Sequence, residues 1–87
     1  MPLYFFNLGR TGRVIRDIEG VSLAGIDEAV REAFLEARAL ISDRLRTDEP
    51  VPLDDTIDIA DEHGVVLFSV TFGQALTGAP LPRSAKI

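Results

Sequence analysis

The sequence predicts an α+β domain of the form ββαββ, in which four strands make one sheet and a long helix lies on one of its faces. Two Asp-x-x-Gly turns, at residues 17–20 and 61–64, interrupt apolar strand-like segments. The Asp carboxylate of such a turn accepts local amides, and the Gly adopts a positive φ. Between the turns, residues 26–46 repeat apolar side chains with the 3.6-residue period of an amphipathic helix.

The first two strands are predicted to form a hairpin. Residues 3–8 are rich in aromatic side chains, which favour strands, and residues 13–16 form the second segment. We expect residues 9–12, which begin and end with Gly, to be a four-residue loop between them.

The helix is predicted from about residue 26 to residue 46. Gly25 is its expected N-cap, and two acids lie in its first turn, where the helix dipole favours negative charge. Two prolines follow, so residues 47–55 are predicted to form an irregular link. The side that packs on the sheet consists of Ile26, Ala29, Val30, Ala33, Phe34, Ala37, Leu40, Ile41 and Leu45.

The third and fourth strands are predicted at residues 56–60 and 65–72. Because strands one and four are the most apolar, we expect them in the centre, in the order 2-1-4-3, with the all-antiparallel order 2-1-3-4 as the alternative. A helical turn is expected near residues 74–76. We therefore assign residues 1–76 to one domain and residues 77–87 to a mobile tail.

Side-chain alternation leaves apolar residues on both faces of the predicted sheet. If Tyr4, Phe6, Leu8, Val66, Phe68, Val70 and Phe72 face the helix, a second apolar set faces away from it. One Phe presents about 150–250 Å², so this set approaches the roughly 300–600 Å² of a monomer's largest apolar patch. We expect a homodimer to cover it, with the tail through Leu76 and Leu81, or another protein, as alternatives. The interface candidates are Leu3, Phe5, Ile15, Val65 and Leu67.

Composition restricts the classes of function. The net charge is −5, and the 14 acids all follow residue 16, which disfavours nonspecific binding to nucleic acid or anionic membranes. There is no cysteine and hence no disulfide or thiolate site. Because residues 1–8 lack a signal-peptide pattern and no apolar segment approaches about 20 residues, we expect a cytoplasmic protein.

Several short motifs follow one another along the chain, each at one position. They are Tyr4-Phe5-Phe6, Asp17-x-Glu19-Gly20-Val21-x-Leu23, Glu28-Ala29, Glu32-Ala33, Asp61-Glu62-x-Gly64 and Leu67-x-x-Val70-x-Phe72. With them, over roughly residues 3–76, the chain resembles a family of small bacterial domains of unknown function that open on a Tyr-aromatic-Phe strand. The resemblance implies the domain boundaries and supplies no catalytic residues. The chain departs from the family at Ala24-Gly25, where Pro-Asp is expected. It also departs at Val65 and Thr71, where relatives often have a polar residue and a proline.

Candidate chemical groups are sparse. His63 is the only histidine and lies in the second turn, where we interpret it as a solvent-facing turn residue and not as a metal ligand. The acidic residues between 48 and 62 lack the EF-hand pattern, and we interpret them as a solvated sheet edge that discourages edge pairing. No Gly-x-Ser-x-Gly elbow or Cys/His pair is present. We therefore predict no catalytic residue, metal or cofactor.

The first hairpin is basic, because residues 1–16 contain three arginines and no acid. Residues 9–13, Gly-Arg-Thr-Gly-Arg, can expose amides and guanidinium groups to a phosphate. The segment joins two strands and lacks the Lys-Ser/Thr of a P-loop, so a plain hairpin loop is the favoured interpretation. The candidate anion-binding residues are Arg10, Arg13 and Arg16.

Together these patterns favour a non-enzymatic protein-interaction module that self-associates through the open face of its sheet. The alternative is a regulatory or nucleic-acid-associated accessory protein, similar only in fold to small antitoxin-like domains, that uses the basic hairpin.

Overall fold

The computed structural model describes residues 1–77, which form one antiparallel sheet of five strands with a long helix packed on it. The predicted α+β class and the bounds of the long helix are confirmed. Among the described residues, no helix is long and apolar enough to cross a membrane. The elements are β1 (Leu3–Arg10), β2 (Arg13–Ile15), β3 (Val21–Ser22), α1 (Ile26–Arg46), β4 (Thr56–Ala60), β5 (Val66–Thr71) and α2 (Phe72–Thr77).

The order of the strands is β2-β1-β4-β5, with β3 pairing with β1 on the same side as β2. The preferred order 2-1-4-3 is therefore wrong for the four predicted strands, and the all-antiparallel alternative is the observed one. β4 and β5 pair because only a short turn separates them, and consecutive strands joined by tight turns are usually neighbours. The inner strands are β1 and β4, and Ile57, Ile59 and Ala60 of β4 are almost completely buried.

The first hairpin is tighter than predicted. β1 continues through Arg10, which pairs with Arg13, so the loop consists of Thr11 and Gly12 alone. Gly12 has a φ of +78°, which explains why Gly occupies the second loop position.

A β-bulge disturbs the pairing of β4 with β5. Ile59 pairs with Phe68, but the next residue, Ala60, pairs with Val66, so Leu67 is the extra residue. Directly paired residues share a face of the sheet, and Val66 therefore lies on the face opposite the helix with Ala60. The predicted placement of Val66 under the helix is wrong for this reason.

The core lies between α1 and the sheet, and α1 packs chiefly on β4 and β5. Gly25 is the N-cap, as predicted, and the predicted apolar side of the helix is confirmed in its middle. Ile26 and Leu45, at the two ends of the helix, are exposed. The fully buried alanines allow a close approach of the helix to the strands. The buried residues of α1 are Ala29, Val30, Ala33, Ala37 and Ile41.

The predicted helical turn after β5 is confirmed and is slightly longer, because α2 begins at Phe72. The Thr71 hydroxyl accepts the Gln74 amide at 3.0 Å, while the Gln74 side-chain oxygen accepts the Thr71 amide at 2.8 Å. This capping box ends the strand and starts the helix. Leu76 lies beside α1 and not on the open face of the sheet. The rest of the predicted tail, including Leu81, lies outside the described residues.

The C-terminus of α1 closes with two backbone hydrogen bonds. The amide of Asp48 donates to Leu45 at 3.2 Å, and the amide of Glu49 donates to Arg44 at 2.8 Å, which is the Schellman arrangement. Glycine usually occupies the position of Asp48, whose φ is +63°. The Asp48 carboxylate also lies at the negative end of the helix dipole.

We expect Asp48→Gly to stabilise the domain. Relief of the left-handed backbone strain and of the dipole repulsion should raise the free energy of unfolding by about 0.5–1 kcal/mol, measured by urea denaturation. Asp54→Gly is the control, because Asp48 is the single non-glycine residue with a positive φ in the described part of the chain. An equal gain in both variants would contradict the explanation.

Candidate functional site

The face of the sheet opposite α1, called here the open face, divides into an apolar end and a polar end. At the apolar end, Phe5, Ala60 and Val66 form a row across three neighbouring strands. At the polar end, the corresponding row is Gly9, Thr56 and Thr71. The division could not be predicted from the alternation of single strands, because it depends on β4 lying between β1 and β5, whereas the preferred order placed this strand at an edge.

The polar end is held by hydrogen bonds around Asp58. Its carboxylate accepts the Ser69 hydroxyl at 2.8 Å and the Thr56 hydroxyl at 2.9 Å. A Cβ at Gly9 would lie 2.5 Å from the Thr56 hydroxyl oxygen. Glycine at this position therefore leaves room for the cluster, and this end of the open face needs no partner to satisfy these side chains.

At the apolar end, the chain itself covers Phe5. Gly20 has a φ of +73°, and a Cβ there would lie 2.9 Å from the Phe5 ring. The turn at residues 17–20 folds over the open face, and the Asp17 amide donates to the buried Asn7 side chain at 2.9 Å. Phe5 is half-buried as a result.

Asp17 holds this turn against β1. Its carboxylate accepts the amides of Glu19 at 3.0 Å, Phe6 at 3.2 Å and Gly20 at 3.3 Å. Partial burial of Asp17 opposes ionisation, but the hydrogen bonds from Glu19, Phe6 and Gly20 outweigh it, so its pKa lies below the usual value. Between the residues of β1 that pair with β2 and those that pair with β3, the carboxylate therefore accepts the Phe6 amide that no strand reaches.

The structure separates the five interface candidates. Leu3 and Phe5 are half-buried, whereas Val65 and Leu67 are 55% and 45% exposed. Ile15 pairs with Leu8 and so lies on the helix side, which makes its predicted place on the open face wrong. Sequence alternation also missed Val66, which is 53% exposed beside Leu67, because a bulge leaves no mark in the alternation.

The helix side of the sheet contains a second exposed apolar surface. A groove of about 420 Å³ runs between α1 and the β1 side of the sheet. Its floor consists of apolar side chains, and Glu32 and Glu36 of α1 line one wall. We call this surface the helix-side groove. It is lined by Phe6, Leu8, Ile15, Arg16, Asp17, Val21, Glu32 and Glu36.

The three candidate anion-binding arginines do not act as a set. The Arg10 Nε lies 3.3 Å from the carboxylate of the buried Asp55. This ion pair compensates the charge of Arg10. Arg13 is exposed opposite Arg10 on β2. Arg16 lines the helix-side groove next to Asp17.

Most of the acidic residues between 48 and 62 are exposed, as predicted, but they do not form an edge of the sheet. Asp58 lies on the central strand β4, and Asp55 is buried. The edge strand is β5, which has no charged residue. No group of three or more candidate metal ligands occurs within residues 1–77.

His63 is a turn residue with an exposed side chain, in agreement with its interpretation. The Asp61 carboxylate accepts the amides of Val65 at 3.0 Å and His63 at 2.8 Å, and Gly64 has a φ of +83°. These hydrogen bonds, the one from Val65 first, lower the pKa of Asp61.

The fold and these surfaces define a small α+β domain with exposed apolar regions on both faces of an antiparallel sheet. The chain belongs to the family described as domain of unknown function DUF6894, whose model matches residues 3–73. This agrees with the resemblance to small domains of unknown function. Comparisons with curated proteins and with solved structures give no match.

We expect Gly20→Ala to destabilise the domain more than Gly12→Ala. Both glycines have a positive φ, but a Cβ at Gly12 would meet no atom within 4 Å. Gly12→Ala therefore measures the backbone strain alone, about 1 kcal/mol, and contact with Phe5 adds about 1–3 kcal/mol in Gly20→Ala. Urea denaturation of both variants tests this. Equal losses would show that the turn does not press on Phe5.

We expect Asp17→Asn to lower the free energy of unfolding by about 1–3 kcal/mol at pH 7, because an NH2 group, which cannot accept a hydrogen bond, replaces one carboxylate oxygen; with the remaining oxygen on Glu19 and Gly20, the Phe6 N–H loses its acceptor. The pKa of Asp17 is lower in the folded than in the unfolded chain, so its stabilising effect is complete above the unfolded value near 3.8. It is lost as the pH falls through the folded value.

The difference between wild type and Asp17→Asn should therefore shrink below about pH 4. Urea denaturation between pH 7 and pH 3 measures it, and Asp61, present in both chains, cancels from the comparison. A difference that stays constant with pH would contradict the role of the charge.

Proposed function

We propose that this domain is a non-enzymatic protein-interaction module that self-associates through the apolar end of its open face. The observation that supports this most is the pair of neighbouring exposed residues Val66 and Leu67 on the edge strand β5. The bulge brings Val66 to the open face beside Leu67. The contact is thus narrower than the five-residue patch predicted from the sequence.

Charge opposes a second copy least at this strand. Two chains of net charge −5 repel each other, and a symmetric contact brings like residues together. β5 contains no charged side chain, so a contact around it adds no direct pair of like charges. Edge strands are usually protected by charges, proline or a β-bulge; β5 has no charge or proline, and its one bulge, at Leu67, leaves residues 68–71 regularly paired with β4.

The backbone of β5 adds a small contribution to this contact. Thr71 donates its amide to Gln74, so that amide points away from β4. Ser69, two residues earlier, then directs its backbone groups the same way. We infer that the side chains of Val66 and Leu67 provide most of the buried area and that these backbone groups add to it.

The nucleic-acid alternative receives less support. It relied on Arg10, Arg13 and Arg16, and the ion pair with Asp55 compensates Arg10. Two exposed arginines remain against an acidic whole, which is a weak basis for binding a polyanion.

Sedimentation of the wild type and of the double variant Val66→Lys/Leu67→Lys tests the proposal. We expect the wild type to dimerise at micromolar to millimolar concentration, and the double variant to weaken the dimer at least about tenfold, since each lysine adds a repelled charge at the contact. Val14→Lys is the matched control, because Val14 is 53% exposed on the same open face but lies at β2.

Circular dichroism confirms that each variant folds. A wild type that stays monomeric at millimolar concentration contradicts the proposal, as does a dimer that Val14→Lys and the double variant weaken equally.

A further inference from the structure

We propose that the helix-side groove binds a peptide segment of another protein that combines large apolar side chains with lysine or arginine. The groove lies on the face of the sheet opposite the self-association surface, so this proposal does not depend on the previous one.

The groove exists because α1 does not cover the β1 side of the sheet. The helix packs chiefly on β4 and β5. Ile15 and Val21 pair with Leu8 and Tyr4, which places both on the helix side of the sheet, yet each is 42% exposed. Apolar side chains that face the core layer of a small domain without cover lose the free energy that burial would give them.

The wall formed by α1 is acidic. Glu32 and Glu36 are four residues apart and line the groove together. Like charges at this spacing destabilise a helix by about 0.2–0.5 kcal/mol, and neither glutamate forms an ion pair within residues 1–77. Their position has no structural benefit in the domain alone, but it complements a basic ligand.

The opposite wall adds little negative charge. Asp17 lines it, but three backbone amides already occupy its carboxylate. Arg16 lies next to it. A bound segment would therefore direct its basic side chains towards α1 and its apolar side chains to the floor.

The dimensions and charges select a peptide over a second copy. About 420 Å³ is enough for a few side chains of a peptide. Within residues 1–77 the basic segment is the β1–β2 hairpin, whose Ile15 and Arg16 already line the groove, so this part of a second copy would bring mainly acidic surface to Glu32 and Glu36.

Fluorescence anisotropy with a labelled octapeptide of alternating leucine and lysine tests the proposal, and an octapeptide of alternating leucine and glutamate is its control. We expect the leucine-lysine peptide to bind more tightly, with a Kd that rises at least about tenfold in Glu32→Gln/Glu36→Gln. The matched control is Glu49→Gln/Glu62→Gln, which removes the same charge from exposed positions outside the groove. It should change the Kd less than threefold.

Other outcomes would overturn the proposal. Equal losses in the two glutamine variants would show general attraction to an acidic protein. Loss of binding in Val66→Lys/Leu67→Lys alone would place the peptide on the self-association surface. Dissociation of a wild-type dimer by Glu32→Gln/Glu36→Gln, measured by sedimentation, would show that a second copy occupies the groove.

Discussion

A single helix is too narrow to cover this sheet. A helix with its side chains is about 10 Å wide, whereas neighbouring strands lie about 4.8 Å apart, so α1 can shield about two strands. It lies on β4 and β5, where Ile57, Ile59 and Val70 are buried against it. The helix side of β1 itself is buried or half-buried, and the exposed side chains beyond it, Ile15 of β2 and Val21 of β3, follow from this shortage of cover.

The domain compensates on the other face with a turn instead of a second helix. The turn at residues 17–20 lies over Phe5 and is fixed by the Asp17 carboxylate, which also satisfies the Phe6 amide. One acidic side chain thus closes the edge of β1 between β2 and β3 and keeps an aromatic ring partly covered. Val66 and Leu67 lie two strands away, beyond the row of Phe5 and Ala60, and remain exposed.

Local patterns were readable from the sequence, and pairings across the sheet were not. The helical period gave the bounds of α1, and the Asp-x-x-Gly spacing gave both turns with a positive φ at Gly20 and Gly64. The predicted strand order is wrong because the apolar content of a strand does not determine whether the strand lies inside the sheet or at its edge. β5 is apolar yet forms an edge, whereas β4 contains Asp58 and is central because its charge is satisfied on the open face by hydroxyl groups.

The misplaced residues have the same physical origin. The face on which a side chain lies depends on its pairing partner, and the partners of Ile15 and Val66 are set by a hairpin register and by a bulge. Neither is encoded in the alternation of one strand.

The fold also brings charges that are far apart in the sequence to the same surface. The basic hairpin and the acidic helix meet across the helix-side groove, with Arg16 on one wall and Glu32 and Glu36 on the other. Arg10 lies at the far end of β1, where it forms an ion pair with Asp55 and does not contribute its charge to the groove. The groove therefore has walls of opposite character above an apolar floor, an arrangement that would favour one orientation of a bound segment over its reverse.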